Sequence, residues 1–124
     1  MEKELEKIFN RLKSILKKFE KPMKPKIDGK KGYDLWSFKK IEAFGRKRDE
    51  MYFAGLTIQS KYVGFYFMPV YSDTGIKELI KPELLKTLKG KSCFHIKYLD
   101  DTLEKQIKDA LDIGYKLYKK RGWV

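Results

Sequence analysis

The chain holds one histidine, His95, and one cysteine, Cys93, two residues apart in the stretch SCFHIKY. On an extended strand, side chains alternate between faces, so Cys93, His95 and Lys97 share one face while Phe94, Ile96 and Tyr98 share the other. A thiol beside an imidazole is the start of a metal site or of an activated nucleophile. Closing a metal site would need carboxylates, because no second Cys or His exists. Nucleophilic catalysis would need an orienting acid and an oxyanion hole, and no residue pattern supplies either. The plainer alternative is a half-exposed histidine bonded to a neighbour. The sequence therefore assigns no catalytic residue, no metal and no cofactor.

Two other motifs lose their chemistry on inspection. Lys89, Gly90, Lys91 and Ser92 resemble the end of a phosphate loop, but the glycine-rich start is missing and a strand follows where a helix is needed. Gly90 is expected to terminate a helix, with Lys89 and Lys91 solvated beside it. Asp100 and Asp101 precede a helical pattern, and capping accounts for them without a metal.

Aromatic residues carry the remaining signal. Gly55 and Gly64 fall in neighbouring predicted strands, which leaves room for a shallow slot flanked by Trp36, Phe53, Tyr62 and Tyr66. Aromatic walls with polar tips suit a flat ligand, a peptide or a partner protein. The competing expectation is that the glycines let cross-strand aromatics pack over the backbone as core. The candidate ligand site comprises Trp36, Tyr52, Phe53, Tyr62 and Tyr66 for contact area, with Lys91, His95 and Lys97 for orientation or charge.

These residues need elements to position them. Residues 50–70, EMYFAGLTIQSKYVGFYFMPV, read as two strands joined at Ser60 and Lys61 and apolar on both faces. Simple alternation puts Tyr52, Ala54, Leu56 and Ile58 on one side of the first and Met51, Phe53, Gly55 and Thr57 on the other. Leu5, Ile8, Phe9, Leu12, Ile15, Leu16 and Phe19 recur at helical spacing, predicting a helix over 1–20. Residues 21–32, with two prolines and two glycines, are expected to be a mobile basic linker. From Tyr33, YDLWSFKKIEAF predicts a first strand with a bulge near Lys39 and Lys40. The turn GRKRDE leads into the central pair, making 33–70 a three-strand antiparallel meander. YSDTG is loop, short helices fill 76–89 with Pro82 in a first turn, a strand covers 92–98, and a helix covers 101–121. Asp101 and Glu104 resemble a capping box, Leu103, Ile107, Ala110, Leu111, Gly114 and Tyr118 form the apolar stripe, and Gly122 ends it. The fold class is α+β: one domain, with the antiparallel sheet backed on one face by the first and last helices.

With the elements placed, YFAGL at Tyr52–Leu56, YVGFYF at Tyr62–Phe67 and LKGKSCFHIKYL at Leu88–Leu99, followed by the amphipathic last helix, resemble the YdhG-like family of small bacterial domains of unknown function. The resemblance covers rather more than half the chain. It implies helices backing an antiparallel sheet, and some relatives are described as frataxin-like iron chaperones. That role draws on acidic residues of the first helix and first strand. Here Glu2, Glu4, Glu6 and Glu20 are interleaved with Lys3, Lys7, Lys13, Lys17 and Lys18, which oppose a cation. The fold transfers; iron binding stands only as an alternative.

Lys and Arg total 29 against 17 acids, a net charge of +12. Such a field favours anions. The charges are spread along the chain, however, so nucleic acid ranks below an anionic small molecule or an acidic protein as partner. Single-strand binding would use Arg46, Lys47 and Arg48 or Lys119, Lys120 and Arg121, with stacking on Trp36 or Tyr33. A lone cysteine, no leader-like N-terminus and no long apolar stretch predict a cytoplasmic protein, away from membranes, as monomer or homodimer. The expected function is non-catalytic binding.

Overall fold

A computed structural model describes residues 2–43, 45–72 and 74–124. Met1 of the expected first helix, Phe44 at the end of the expected first strand and Asp73 of the expected loop lie outside the described residues. Helix α1 spans Glu2–Leu16, with a 3-10 turn at Lys17–Phe19. Strands follow as β1 Gly32–Ser37, β2 Ile41–Ala43, β3 Arg46–Arg48, β4 Met51–Ile58 and β5 Val63–Phe67. After helix α2 (Met68–Ser72), a 3-10 segment (Thr74–Leu79) and helix α3 (Pro82–Leu85) come β6 (Leu88–Lys89), β7 (Cys93–Ile96) and helix α4 (Asp101–Arg121). The main sheet has the order β1-β4-β5-β7-β6, antiparallel throughout, and β2 and β3 form a separate hairpin. The class is α+β.

Helices α1 and α4 lie on one face of the sheet. The α1 stripe Leu5, Ile8, Phe9, Leu12, Ile15 and Leu16 is buried, as is the α4 stripe Leu103, Ile107, Ala110, Leu111, Gly114 and Tyr118. Both seal Leu35, Leu56, Val63, Phe65, Phe67, Phe94 and Ile96, which alternation along their strands points to that same side. Arg11 on α1 clasps Glu104 on α4 through two hydrogen bonds of 2.5 and 2.8 Å, tying the two helices across the layer.

Several expectations are corrected. The meander is interrupted: β1 stops at Ser37, and the β2–β3 hairpin, turning at Gly45 with φ 76°, intervenes before β4. The irregularity expected at Lys39 and Lys40 lies instead in the β1–β4 ladder, where Leu35 pairs with Ala54 and Trp36 with Tyr52, leaving Phe53 as the extra residue. The central meander ends at Phe67, because Met68–Ser72 coil into α2. Gly90, with φ 88°, belongs to the turn between β6 and β7 and ends no helix, since α3 has already stopped at Leu85. The cap of α4 is Asp100, whose side chain accepts a bond from the Leu103 N–H, so Asp101 occupies the first turn. Gly122 ends α4 in the left-handed conformation, as expected.

The basic segment between α1 and β1 is tied down. Lys24 and Trp36 exchange two backbone hydrogen bonds of 2.9 Å, and Met23 is fully buried. Asp34 anchors the same segment: its carboxylate accepts the N–H groups of Lys26 at 2.7 Å and Ile27 at 2.9 Å. The segment thereby covers the outer edge of β1, which would otherwise expose unpaired backbone groups.

Candidate functional site: the open sheet face and its aromatic cleft

Strand register fixes what the helix-free face carries. Cross-strand partners point the same way, so one row runs Asp34, Gly55, Tyr66, Cys93, Lys89 and the next runs Gly32, Thr57, Gly64, His95. The bulge at Phe53 then decides the third row. Because β4 spends an extra residue there, Tyr52 joins the face of Gly55, opposite Trp36, while Phe53 turns to the helices with Ala54. Phe53 is fully buried, in edge-to-face contact with Phe67 and Tyr118. Its expected place in a ligand site is corrected: it is core. Tyr33, an expected stacking residue for nucleic acid, is also buried in the helix layer, donating to Glu20 at 2.6 Å.

The two glycines are occupied by tyrosines. A Cβ on Gly55 would lie 2.1 Å from the Tyr52 hydroxyl, and one on Gly64 would lie 3.1 Å from the Tyr66 ring. The expected slot is therefore narrowed by rings folded onto the strand backbone. Burial, and then the charge of Asp34, holds the Tyr52 phenol well above its usual range. Tyr66 shifts the same way through burial and the neighbouring Cys93. Burial also raises the Cys93 thiol, which keeps it protonated at neutral pH and denies it the thiolate a nucleophile requires. His95 stacks on Tyr62, centroids 3.8 Å apart and planes within 10°.

Beside this platform lies a cleft of about 550 Å³ between the β2–β3 hairpin, the start of β4, and α2. Its walls are Trp36, Met51, Tyr52, Met68 and Tyr71, with Arg48 and Glu50 supplying charge. Trp36 and Tyr52 meet edge to face at 5.1 Å. The indole is held firmly: its Nε1–H donates to Asp34 at 3.0 Å, and the Lys26 ammonium sits 3.8 Å over its ring. Lys26 also pairs with Glu50 at 2.6 Å, offsetting the carboxylate at the cleft. Lys91 lies 5.8 Å from the Tyr71 ring. Tyr52 divides this cleft from a shallower hollow of about 290 Å³ over Gly55 that reaches Tyr66 and Thr57.

Of the residues expected to act together, the cleft unites Trp36 and Tyr52, with Lys91 at its rim. Tyr62, Tyr66 and His95 sit on the same face but further along the sheet, and Lys97 is exposed just past the end of β7. Arg48, Met68 and Tyr71 were outside the expected ligand site. Arg48 carried a signal only as part of a basic turn, and Tyr71 carried none, because it reaches the cleft through an α2 turn read as strand and loop. Among the described residues, no group of three or more His, Cys, Asp or Glu side chains is placed to hold a metal ion, and no helix is long and apolar enough to cross a membrane. No protein-family model, no curated protein and no solved structure matches this chain.

Proposed function

We propose that this is a non-catalytic binding domain whose ligand is a small planar anion held in the cleft beside Trp36. The observation that carries this reading is the composition of the cleft: three aromatic rings and two methionines, with Arg48 and a Glu50 carboxylate already paired to Lys26. Aromatic walls favour a flat molecule, and a guanidinium favours a planar carboxylate, sulfonate or phosphate that it can meet with paired N–H groups. The net charge of +12 adds a long-range attraction for the same class. Trp36 needs no rearrangement to take part, since Asp34 and Lys26 already fix its ring, so little ordering entropy opposes binding. The kinship with YdhG-like domains belongs to the same proposal and rests on the motifs of β4, β5 and β7, as does a cytoplasmic location, where Cys93 stays reduced.

The test uses anilinonaphthalene sulfonate, an aromatic anion, and a Trp123→Phe variant in which Trp36 is the sole tryptophan. Saturable quenching of Trp36 emission is expected, weakened at least tenfold by Arg48→Ala and by Tyr71→Ala. Equal titrations in all three proteins would reject the cleft.

A further inference from the structure

The open face beyond the cleft carries aromatic rings, polar groups and cations in a pattern that small-ligand binding leaves unused. Tyr62 and His95 form a stacked pair, Tyr66 lies over Gly64, and all three rings remain partly exposed. Rows on the same pleat are separated by two residues along each strand, about 6.7 Å, and by about 4.8 Å between strands. Among the described residues, the single carboxylate in these rows is Asp34, and it is buried with three N–H donors already bonded to it. Exposed lysines border the platform: Lys89 within a row, Lys61 next to Tyr62 and Lys91 in the β6–β7 turn, whereas Lys97, past β7, lines a hollow with Arg11, Asp101 and Glu104 at the helix layer.

We infer that this face is a binding platform for single-stranded nucleic acid. Every base has a π-face, so rings lying on a flat sheet take bases without reading their edges, while surrounding lysines track the phosphates. An acidic protein would answer the lysines but would cover the ring faces only where it also carried planar side chains at the same spacing. A second copy of this chain would answer the rings but would bring another +12 of like charge against the lysines. A duplex would keep its bases stacked inside and present only phosphate to the tyrosines. The occupant that satisfies both rings and charge is an unpaired strand.

The experiment is fluorescence polarisation with a labelled oligothymidylate and, separately, a labelled DNA duplex, at low salt. Saturable binding that prefers the single strand is expected. If the three lysines each neutralise one phosphate, log K should fall with log salt at a slope of about −2. Tyr66→Ala and Tyr62→Ala should each weaken binding about 5- to 100-fold, the loss of one stacking partner. Lys61→Glu with Lys89→Glu should flatten the salt slope by about 1 or more, and because both side chains are exposed this variant tests the face even where a tyrosine variant melts. Absence of binding, equal affinity for duplex, or aromatic variants that stay folded and bind as the parent would overturn the inference. A dimer by light scattering that persists with bound strand would overturn it too. Arg48→Ala, which disables the cleft, is expected to leave oligothymidylate binding within about twofold, so the two sites fail or stand separately.

Discussion

Replacing Gly114 by alanine sets two well-measured effects against each other. Gly114 lies deep inside α4, a helix of 21 residues, where alanine is favoured over glycine by about 1 kcal/mol. On propensity alone the variant gains stability. Packing predicts the opposite. An added Cβ would stand 2.6 Å from Phe67 Cζ, 2.7 Å from Pro69 Cγ and 2.9 Å from Phe67 Cε1, where ordinary contact begins at 3.4 Å. Helix and sheet would have to separate by about 0.8 Å at that point. Neither neighbour yields easily, since Phe67 is fully buried among Phe53 and Phe65, and Pro69 is locked by its ring. Overpacking of this kind costs about 1–3 kcal/mol, and the rigid neighbours place it in the upper part of that range. The net expectation is a loss of about 1–2 kcal/mol, or a melting temperature lower by about 3–10 °C for a domain of this size. Thermal melts followed by circular dichroism read it directly. In a Phe67→Leu background the ring is gone, and Gly114→Ala should become neutral or stabilising; the coupling between the two changes isolates the contact. A higher melting temperature for Gly114→Ala alone would refute the close approach of α4 to β5, and with it the assignment of the helices to this face.

Other expectations are simpler. Ser37 donates to the carbonyl of Trp123, pinning the C-terminus to β1; Ser37→Ala should cost about 0.5–1.5 kcal/mol in urea unfolding by removing that bond. Asp100→Ala should remove about 1 kcal/mol by uncapping α4, and Asp100→Ser should restore most of it. The hydrogen bond and charge of Arg11 hold the Glu104 carboxyl down to about 2 from its usual 4.5. A depressed folded-state value means this contribution is complete above pH 4.5 and is lost as pH falls from there towards 2, so melting temperatures in that window should fall less steeply for Arg11→Ala than for the parent. Cys93 should alkylate slowly at neutral pH, because burial raises its thiol; Tyr66→Phe removes the bond that partly counters this and should push the alkylation midpoint to higher pH.

Much of the architecture is legible in the sequence because periodicity is a local signal. The stripes Leu5 to Leu16 and Leu103 to Tyr118 announce two helices with one apolar side each, and each such side needs a sheet face to cover. Ser60 and Lys61 mark the turn between β4 and β5, where Gln59 and Tyr62 close the loop at 2.8 Å. What escapes is set by distant partners. Pairing of Lys24 with Trp36 turns a proline- and lysine-rich linker into an edge cover, and no residue in the linker advertises that partner. Tyr71 enters the cleft because Met68–Ser72 coil, though their neighbours are strand. Leu88 and Lys89 pair with β7 because Gly90 turns the chain back, whereas the same glycine after an apolar run reads locally as a helix stop.

The candidate site turns on a single residue of register. Under strict alternation Tyr52 shares a face with Ala54 and Leu56, and Phe53 faces outward with Gly55. Inserting one unpaired residue at Phe53 exchanges them: phenylalanine, with no polar atom, goes under the helices, and tyrosine, whose hydroxyl needs solvent or a partner, goes to the open face. The exchange is favourable on both sides, which is why the bulge belongs there and not at Lys39 and Lys40, where both residues are exposed and nothing is gained by shifting them. It also aligns Tyr52 with Trp36, giving the cleft its back wall, and sets the Tyr52 hydroxyl over Gly55, giving that glycine its reason. A sequence argument that weighed side-chain polarity against period two at residues 52–54 would have found the break. Deleting Phe53 should therefore remove a core ring and make the ladder regular, yet leave Tyr52 opposite Trp36, because the residue directly before helix-facing Ala54 points to the open side. Trp36 emission should keep its response to anilinonaphthalene sulfonate; a deletion variant that stays folded and no longer responds would show that register alone does not build the cleft.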